Sequence, residues 1–300
     1  MKLVFVHGRD QQGKIAAELQ STWEEALDRG MNKASLQRPN SLDVSFPFYG
    51  DSLARLVTEL DTPLVSDVRT RGDKPDIGEA DFRARFLAEL ASGAGISDTA
   101  ISKHFAGTPT EKGVLNWGWV RAILKALDET PLGAASIDAF TRDVYVYLTH
   151  DAISEAITKI VSDAIGDEPC VVVAHSLGSI VTYRSLRQIG NTAQVRRLIT
   201  IGSPLGVNVV REYLRPPALA KPEGVAAWFN AFDRRDVVAL RPLDQSTWDI
   251  DPPIENFSYV NNHTENRHGI SGYLNDPTIA RWVVEGLLEL PASPDQRHAK

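Results

Sequence analysis

The sequence is poor in cysteine, in long apolar runs and in positive charge. Cys170 is the only cysteine among 300 residues, which excludes a disulfide-stabilised domain and a zinc site built from several cysteines. No run of consecutive apolar residues exceeds five, whereas a membrane-spanning helix needs roughly 20. The formal net charge of −7 argues against a nucleic-acid partner, because proteins that bind nucleic acids carry a basic face.

The composition is typical of a folded chain. Hydrophobic residues make up 43% of the sequence and charged residues 24%, which excludes disorder over most of the length and predicts one large domain or two ordinary ones. The apolar run before His7 has only four residues, 3–6, fewer than the roughly 7–15 of a secretory signal. We therefore expect a cytoplasmic protein without a transmembrane segment. The composition leaves its oligomeric state open.

Short apolar runs alternate with longer amphipathic stretches, which predicts an α/β fold with a mostly parallel sheet flanked by helices. The strand candidates are residues 3–6, 43–48, 170–174, 197–201, 225–232 and 256–260. The main helical patterns are residues 12–29, 137–165, 178–188 and 277–288.

Residues 52–135 break this alternation. They contain turn clusters and helical pieces such as 81–90, but no good strand candidate. We predict a mostly helical insertion between core segments 1–51 and 136–292. It acts either as a lid over the sheet or as a surface elaboration without a gating role. Residues 293–300 are predicted to form a frayed tail.

The segment 174–178, Ala-His-Ser-Leu-Gly, follows an apolar strand and opens an amphipathic helix. This is the context of a nucleophile elbow, in which a serine sits on a tight strand-to-helix turn. The turn needs small side chains at Ala174 and Gly178, and it lifts the Ser176 hydroxyl above the carboxyl ends of the strands. We therefore predict that Ser176 is a nucleophile.

A serine nucleophile needs a base, and the base needs an orienting acid. After an elbow of this kind the acid and then the histidine follow the serine along the chain. The histidines after Ser176 are His263, His268 and His298. His298 lies in the predicted tail. We favour His268 over His263, because Gly269 adjoins it and suits a loop that folds back over the sheet edge.

The acid is expected just after the strand candidate 225–232, where Asp233 and Asp236 both occur. Asp236 precedes an apolar pair that can anchor it against the sheet. Asp233 adjoins two arginines, which favours an ion pair for that side chain. We therefore favour Asp236 as the residue that holds the imidazole of His268.

The oxyanion hole needs two backbone amides. One is predicted to come from Leu177, the residue after the nucleophile. The other is predicted to come from Arg9, because Gly8 allows the loop after the first strand to approach a substrate closely. A simple strand-ending turn is the alternative for this loop. The Arg9 side chain either meets an anionic group of the substrate or pairs with Asp10.

Aromatic residues near these segments provide candidate substrate contacts. Tyr49 follows the second strand candidate, and Trp117 and Trp119 end the predicted insertion. With Gly8, they are predicted to line an apolar binding surface, although each aromatic side chain could equally belong to the core. The sequence contains none of the common zinc-protease, P-loop or dinucleotide-binding motifs, and we expect no metal and no cofactor.

These segments resemble the α/β-hydrolase superfamily, in particular its bacterial esterase- and lipase-like branch. The resemblance covers about two-thirds of the chain, outside 52–135. It rests on residues 4–8 (Val-Phe-Val-His-Gly), 174–178, 199–205 (Ile-Thr-Ile-Gly-Ser-Pro-Leu), 236–238 (Asp-Val-Val) and the loop with His268. Ala174 replaces the first glycine of the elbow, and the first two strands of larger family members have no counterpart.

The resemblance implies a short sheet of about six strands and an enzyme that hydrolyses a carboxylic ester through an acyl-enzyme. Its substrate would be a small-molecule ester or a lipid. An acyltransferase, a thioesterase or a phospholipase would use the same triad. A non-catalytic binding protein could share the fold.

Overall fold

The computed structural model describes residues 1–61, 77–107, 117–215 and 217–288. Six parallel strands form one sheet in the order β2-β1-β3-β4-β5-β6. This confirms the predicted α/β class and the predicted number of strands. The strands are β1 (Lys2–Val6), β2 (Asp43–Ser45), β3 (Cys170–His175), β4 (Val195–Ile201), β5 (Val225–Ala231) and β6 (Glu255–Phe257).

The described residues between and after these strands form mainly α-helices. In chain order, the helices are α1 (Ala16–Lys33), α2 (Gly50–Asp61), α3 (Ile77–Gly93), α4 (Asp98–Ser102), α5 (Trp117–Leu127), α6 (Ala134–Thr149), α7 (Asp151–Ile165), α8 (Leu177–Ile189), α9 (Asn208–Leu214), α10 (Ile270–Leu274) and α11 (Pro277–Leu288).

Both faces of the sheet are buried, which explains why β1 and β3 are apolar over most of their length rather than alternating. On one face, Val4 and Val172 pack with residues of α2 to α9. On the other face, Leu3 and Val171 pack with residues of α1, α10 and α11. The helical layers therefore differ in size, and β3 lies between them with all six of its residues buried.

In the described part of the segment 52–135, the chain forms helices and no strand. These helices join the larger layer, where α3 packs on α5, α6 and α9. The tail 293–300 lies outside the described residues. None of the helices in the described ranges combines the length and the apolar character that crossing a membrane requires.

The amphipathic stretch 137–165 forms two helices rather than one continuous helix. His150, with φ −106° and ψ 99°, ends α6 and begins α7. Its amide still donates to the carbonyl of Val146, and its own carbonyl accepts the amides of Ile153 and Ser154. The chain thus changes direction while its backbone polar groups stay paired, and α7 packs against α6, α8 and β1.

Candidate active site

Ser176 lies at the junction between β3 and α8, in a conformation that few residues other than glycine adopt. Its φ is 56° and its ψ is −130°. The junction is crowded, because a Cβ atom added to Gly178 would lie 2.3 Å from the carbonyl oxygen of His7. The strained serine and the small neighbour are the features that a nucleophile elbow requires.

A continuous chain of hydrogen bonds joins Ser176, His268 and Asp236. His268 Nε2 lies 2.8 Å from Ser176 Oγ, and His268 Nδ1 lies 2.7 Å from Asp236 Oδ2. Because an ionised Asp236 can only accept, Nδ1 carries the proton and Nε2 accepts from the serine hydroxyl. The imidazole is therefore oriented to remove the proton of Ser176.

Asp236 reaches His268 because the chain turns sharply after β5. The amide of Asp236 donates to the carbonyl of Asp233 at 3.0 Å, and the amide of Val238 donates to Asp236 Oδ1 at 3.0 Å. Asp236 is fully buried, whereas the His268 side chain is 13% exposed. The buried carboxylate thus faces the histidine, and the histidine keeps access to the surface of the site.

Asp233 stabilises the same turn, and its carboxylate bonds to groups other than His268. It forms an ion pair with Arg235 at 2.7 Å and accepts the amides of Arg235 and Asn262. Burial alone would raise the pKa of Asp233, but these hydrogen bonds outweigh it and lower the pKa below its usual value. The structure therefore places Asp233 in the turn that supports the site rather than beside the imidazole.

Asn262 holds the loop that carries His268. Its Nδ2 donates to the carbonyl of Gly269 at 2.9 Å, and its Oδ1 accepts the amide of Thr264 at 3.0 Å. A Cβ atom on Gly272 would lie 1.8 Å from Asn262 Oδ1. The exposed His263, by contrast, accepts a hydrogen bond from Asn275, and His298 lies outside the described residues. Of the two histidines in this loop, the structure places His268 beside Ser176.

The loop after β1 lies directly against the serine. A Cβ atom on Gly8 would lie 2.9 Å from Ser176 Cβ and 3.4 Å from Ser176 Oγ. Within the described ranges, no acceptor is hydrogen-bonded to the backbone amides of Arg9 or Leu177. These amides are thus free to bind negative charge that develops beside Ser176.

The side chain of Arg9 pairs with Asp143 of α6 at 2.6 Å rather than with Asp10. Burial raises the pKa of Asp143, and the hydrogen bond and charge of Arg9 partly offset that effect. The pair connects the loop after β1 to α6 at the edge of the site.

His7 and Tyr49 hold the loop after β1 in place through hydrogen bonds to its backbone. His7 Nδ1 donates to the carbonyl of Gly8 at 2.6 Å, and Nε2 accepts the amide of Tyr49 at 3.1 Å. The Tyr49 hydroxyl donates to the carbonyl of His7, and the two rings stack with centroids 4.0 Å apart. Burial lowers the pKa of His7 to about 4, so its imidazole stays neutral at neutral pH.

The cavity above Ser176 has a volume of about 340 Å³. Polar and charged side chains, including Arg9 and Lys14, also line it. Among the described residues of 52–135, Leu132 contributes to the lining of the cavity. Its main apolar walls are Leu19, Trp23, Phe140, Val238 and Ile270.

Two of the predicted aromatic contacts, Tyr49 and Trp119, lie elsewhere. Tyr49 is fully buried beneath the loop after β1 and is not part of the cavity lining. Trp119 is also buried and packs edge-on against Phe105, with ring centroids 5.3 Å apart. Trp117 begins α5, but its side chain lies outside what the structure describes. Trp23 and Phe140 provide the aromatic walls instead, because α1 and α6 rather than α5 border Ser176.

Two further side chains make contacts in the site that were not predicted from the sequence, where only a packing role was expected for His175. His175 Nε2 donates to the carbonyl of His268 at 2.8 Å, and burial lowers the pKa of His175 well below its usual value. The hydroxyl of Tyr273 donates to Asp236 Oδ2 at 2.5 Å. His175 adjoins Ser176 in the sequence and Tyr273 lies in the helix that follows the His268 loop, but both contacts depend on tertiary packing.

The described residues contain no group of three or more His, Cys, Asp or Glu side chains arranged to hold a metal ion. Comparison of the chain with models of protein families and with curated proteins finds no match in either.

Proposed function

We propose that this protein is a serine hydrolase of the α/β-hydrolase type that cleaves a carboxylic ester through an acyl-enzyme intermediate. The observation that carries the proposal is the hydrogen-bond chain from Ser176 Oγ through His268 to Asp236, with distances of 2.8 and 2.7 Å. Ser176 also lies at a strained strand-to-helix turn on the floor of a cavity, which supports the same function.

In the first half of the reaction, Ser176 Oγ attacks the ester carbonyl while His268 Nε2 takes the serine proton. Asp236 stabilises the imidazolium that forms and keeps the ring in position. The amides of Leu177 and Arg9 bind the negative charge on the carbonyl oxygen. When the tetrahedral intermediate collapses, the C–O bond of the ester breaks, and His268 returns its proton to the departing alcohol.

In the second half, a water molecule takes the place of the alcohol. His268 removes a proton from this water, which attacks the acyl carbon and forms a second tetrahedral intermediate. The bond between the acyl group and Ser176 Oγ then breaks, and His268 returns a proton to the serine. The free acid leaves, and the site is restored without a metal or a cofactor.

The cavity favours a small substrate. Its volume of about 340 Å³ is near the lower end of the range for small-molecule sites, roughly 300–1,000 Å³. Apolar walls from Trp23 and Phe140 suit a short acyl chain, while Arg9 and Lys14 favour polar groups on the substrate. We therefore infer that short-chain esters are better substrates than long-chain lipids.

A fluorophosphonate probe tests the nucleophile directly, because it reacts covalently with activated serines. We expect one label on the peptide that contains Ser176 and loss of both label and esterase activity in Ser176→Ala. Ser185→Ala is the matched control, since Ser185 is a fully buried serine of α8 whose hydroxyl donates to the carbonyls of Val181 and Thr158. Absence of labelling in the wild type, or labelling that persists in Ser176→Ala, would overturn the proposal.

Product analysis separates the reactions that share the acyl-enzyme. With ester, thioester and phospholipid substrates, we expect release of the free acid, with the ester preferred. Transfer of the acyl group to an added alcohol in place of water would identify an acyltransferase and contradict the hydrolase assignment.

A further inference from the structure

The carboxylate of Asp236 accepts three hydrogen bonds, and one of the donors has no part in the reaction described above. Oδ1 accepts the amide of Val238 at 3.0 Å, and Oδ2 accepts His268 Nδ1 at 2.7 Å. Oδ2 also accepts the hydroxyl of Tyr273 at 2.5 Å. Asp236 and Tyr273 are both fully buried, so bulk water cannot readily replace that hydroxyl.

The surroundings of Tyr273 fix its hydroxyl as a donor to Asp236. The amide of Asp233 donates to the phenol oxygen at 3.3 Å, which leaves the phenol proton for the carboxylate. Burial, followed by the nearby charge of Asp236, raises the pKa of Tyr273 well above its usual value. The hydroxyl therefore keeps its proton throughout the pH range in which esterases are assayed.

The ring of Tyr273 is held independently of this hydrogen bond. It lies against His175, with ring centroids 5.9 Å apart, and against the backbone of Gly202. Replacement of tyrosine by phenylalanine therefore keeps the packing and removes only the hydroxyl.

We propose that Tyr273 is a positioning residue of this site: its hydroxyl holds Asp236 Oδ2 against His268 and, by sharing the negative charge of Oδ2, limits how strongly the carboxylate attracts the protonated imidazole. The inference rests on the proposed function, because it assigns Tyr273 a part in the reaction of Ser176. Tyr273 is not among the residues that line the cavity, so its effect passes through Asp236 rather than through the substrate.

Loss of the hydroxyl has two consequences. The carboxylate becomes freer to rotate, so fewer molecules present a correctly oriented imidazole and kcat falls. The charge on Oδ2 is also shared with one donor fewer, so it attracts the protonated imidazole more strongly. Protonation of the base then extends to higher pH, and the acidic limb of the pH profile of kcat/KM moves upward.

Few other titratable groups face this pair. His175 lies 4.7 Å from His268 between ring centroids, and its pKa is far below its usual value; His7 on the cavity wall has a pKa of about 4. His7 is therefore neutral above about pH 5, and burial favours the neutral form of His175 as well. Asp233 is held in its ion pair with Arg235, as is Asp143 with Arg9. A shift of the acidic limb that appears in Tyr273→Phe therefore reports on the pair of His268 and Asp236, which Tyr273 contacts.

The first test compares Tyr273→Phe with the wild type, using a p-nitrophenyl ester across the pH range. We expect kcat to fall about tenfold, the magnitude of one hydrogen bond to a charged group, with KM nearly unchanged. We expect the midpoint of the acidic limb to rise by roughly half a pH unit. Wild-type kcat with an unmoved acidic limb would overturn the inference.

Tyr183→Phe is the matched control. Tyr183 is a buried tyrosine of α8 whose hydroxyl donates to the carbonyl of Ala220 at 3.2 Å, away from the reacting groups. Its loss should leave the acidic limb in place, even if it lowers the free energy of unfolding. An equal shift of the limb in both variants would assign the effect of Tyr273 to general destabilisation and contradict the inference.

A double-mutant cycle with Asp236→Asn tests the route of the effect. Because Tyr273 acts through the carboxylate, Tyr273→Phe should slow fluorophosphonate labelling about tenfold in the wild type and have little effect in Asp236→Asn. Additive effects on the labelling rate would overturn the inference.

A second replacement covers the case in which Tyr273→Phe fails to fold. A 3-fluorotyrosine at position 273 is a more acidic phenol and a stronger donor, so it should move the acidic limb to lower pH. An unmoved limb would contradict the inference. Failure of the proposed function is distinguishable, since the wild type itself would then take up no label at Ser176 and show no turnover.

Discussion

Acid is expected to weaken the fold through His7, the buried histidine beneath the loop after β1. In the folded chain, burial lowers the pKa of His7 to about 4 from the ordinary value of 6.5. The unfolded chain therefore binds a proton below about pH 6.5 that the folded chain accepts only near pH 4. The unfolded state binds more protons in this window, so stability falls as the pH falls.

The magnitude follows from the two pKa values. A difference of about 2.5 pKa units corresponds to roughly 3.4 kcal/mol once the pH is below both values. Between pH 7 and pH 5 the expected loss from His7 is about 2 kcal/mol. His175, whose pKa is also lowered by burial, changes stability in the same direction.

Urea titrations at pH 7 and pH 5 measure this loss. The variant His7→Gln cannot titrate, so its free energy of unfolding should fall about 2 kcal/mol less between the two pH values than that of the wild type. His263→Gln, at an exposed histidine that accepts from Asn275, serves as control and should follow the wild type. Equal pH dependence of His7→Gln and the wild type would show that His7 does not cause the loss of stability in acid.

Three further predictions concern the elbow, the turn after β5 and the cavity. Gly178→Ala should lower the free energy of unfolding by about 2 kcal/mol or more in urea titrations, because its Cβ would meet the His7 carbonyl at 2.3 Å; wild-type stability would contradict the crowded elbow. Asp233→Asn should cost about 1–3 kcal/mol of stability yet leave Ser176 reactive towards fluorophosphonate, whereas Asp236→Asn should lower kcat by a hundredfold or more, on the order seen when a triad acid is lost. The opposite pattern would exchange their roles. p-Nitrophenyl acetate and butyrate should give a higher kcat/KM than the palmitate ester, because a cavity of about 340 Å³ cannot enclose a long chain; a long-chain optimum would refute this use of the cavity.

The strands of this fold are predictable from sequence because each central strand is buried on both faces. Cys170–His175 is apolar up to its last residue, and Val195–Ile201 has apolar residues at four of its seven positions, a pattern that burial between two helical layers produces. The break at His150 was not predictable, because neither glycine nor proline marks it and the apolar spacing continues through it. The short helices α9 and α10 are also too brief to show a period.

The candidate site also contains residues that were predictable from the sequence and residues that were not. The elbow carries a local signal, since the strained turn restricts which residues fit at 174 and 178. Gly269 and the apolar pair after Asp236 favoured His268 and Asp236 over their neighbours, and the structure places both beside Ser176. The positions of Tyr49 and Trp119 could not be predicted, because an aromatic residue suits a core and a binding surface equally well.

The contacts of His7 and Tyr273 depend on packing between elements that are distant in the chain. His7 meets Tyr49, 42 residues away, and Tyr273 meets Asp236, 37 residues away. No local pattern sets these distances, since they are fixed only when the loops close over the carboxyl edge of the sheet.

Intact-mass analysis of the protein, quenched during turnover of a slowly hydrolysed ester, tests the claim that Ser176 forms an acyl-enzyme. The claim predicts a mass increase of one acyl group in the wild type, mapped to the peptide that contains Ser176. It also predicts that the Ser176→Ala protein gains no mass and does not turn over. An acyl group on another residue, or continued hydrolysis by Ser176→Ala, would contradict it.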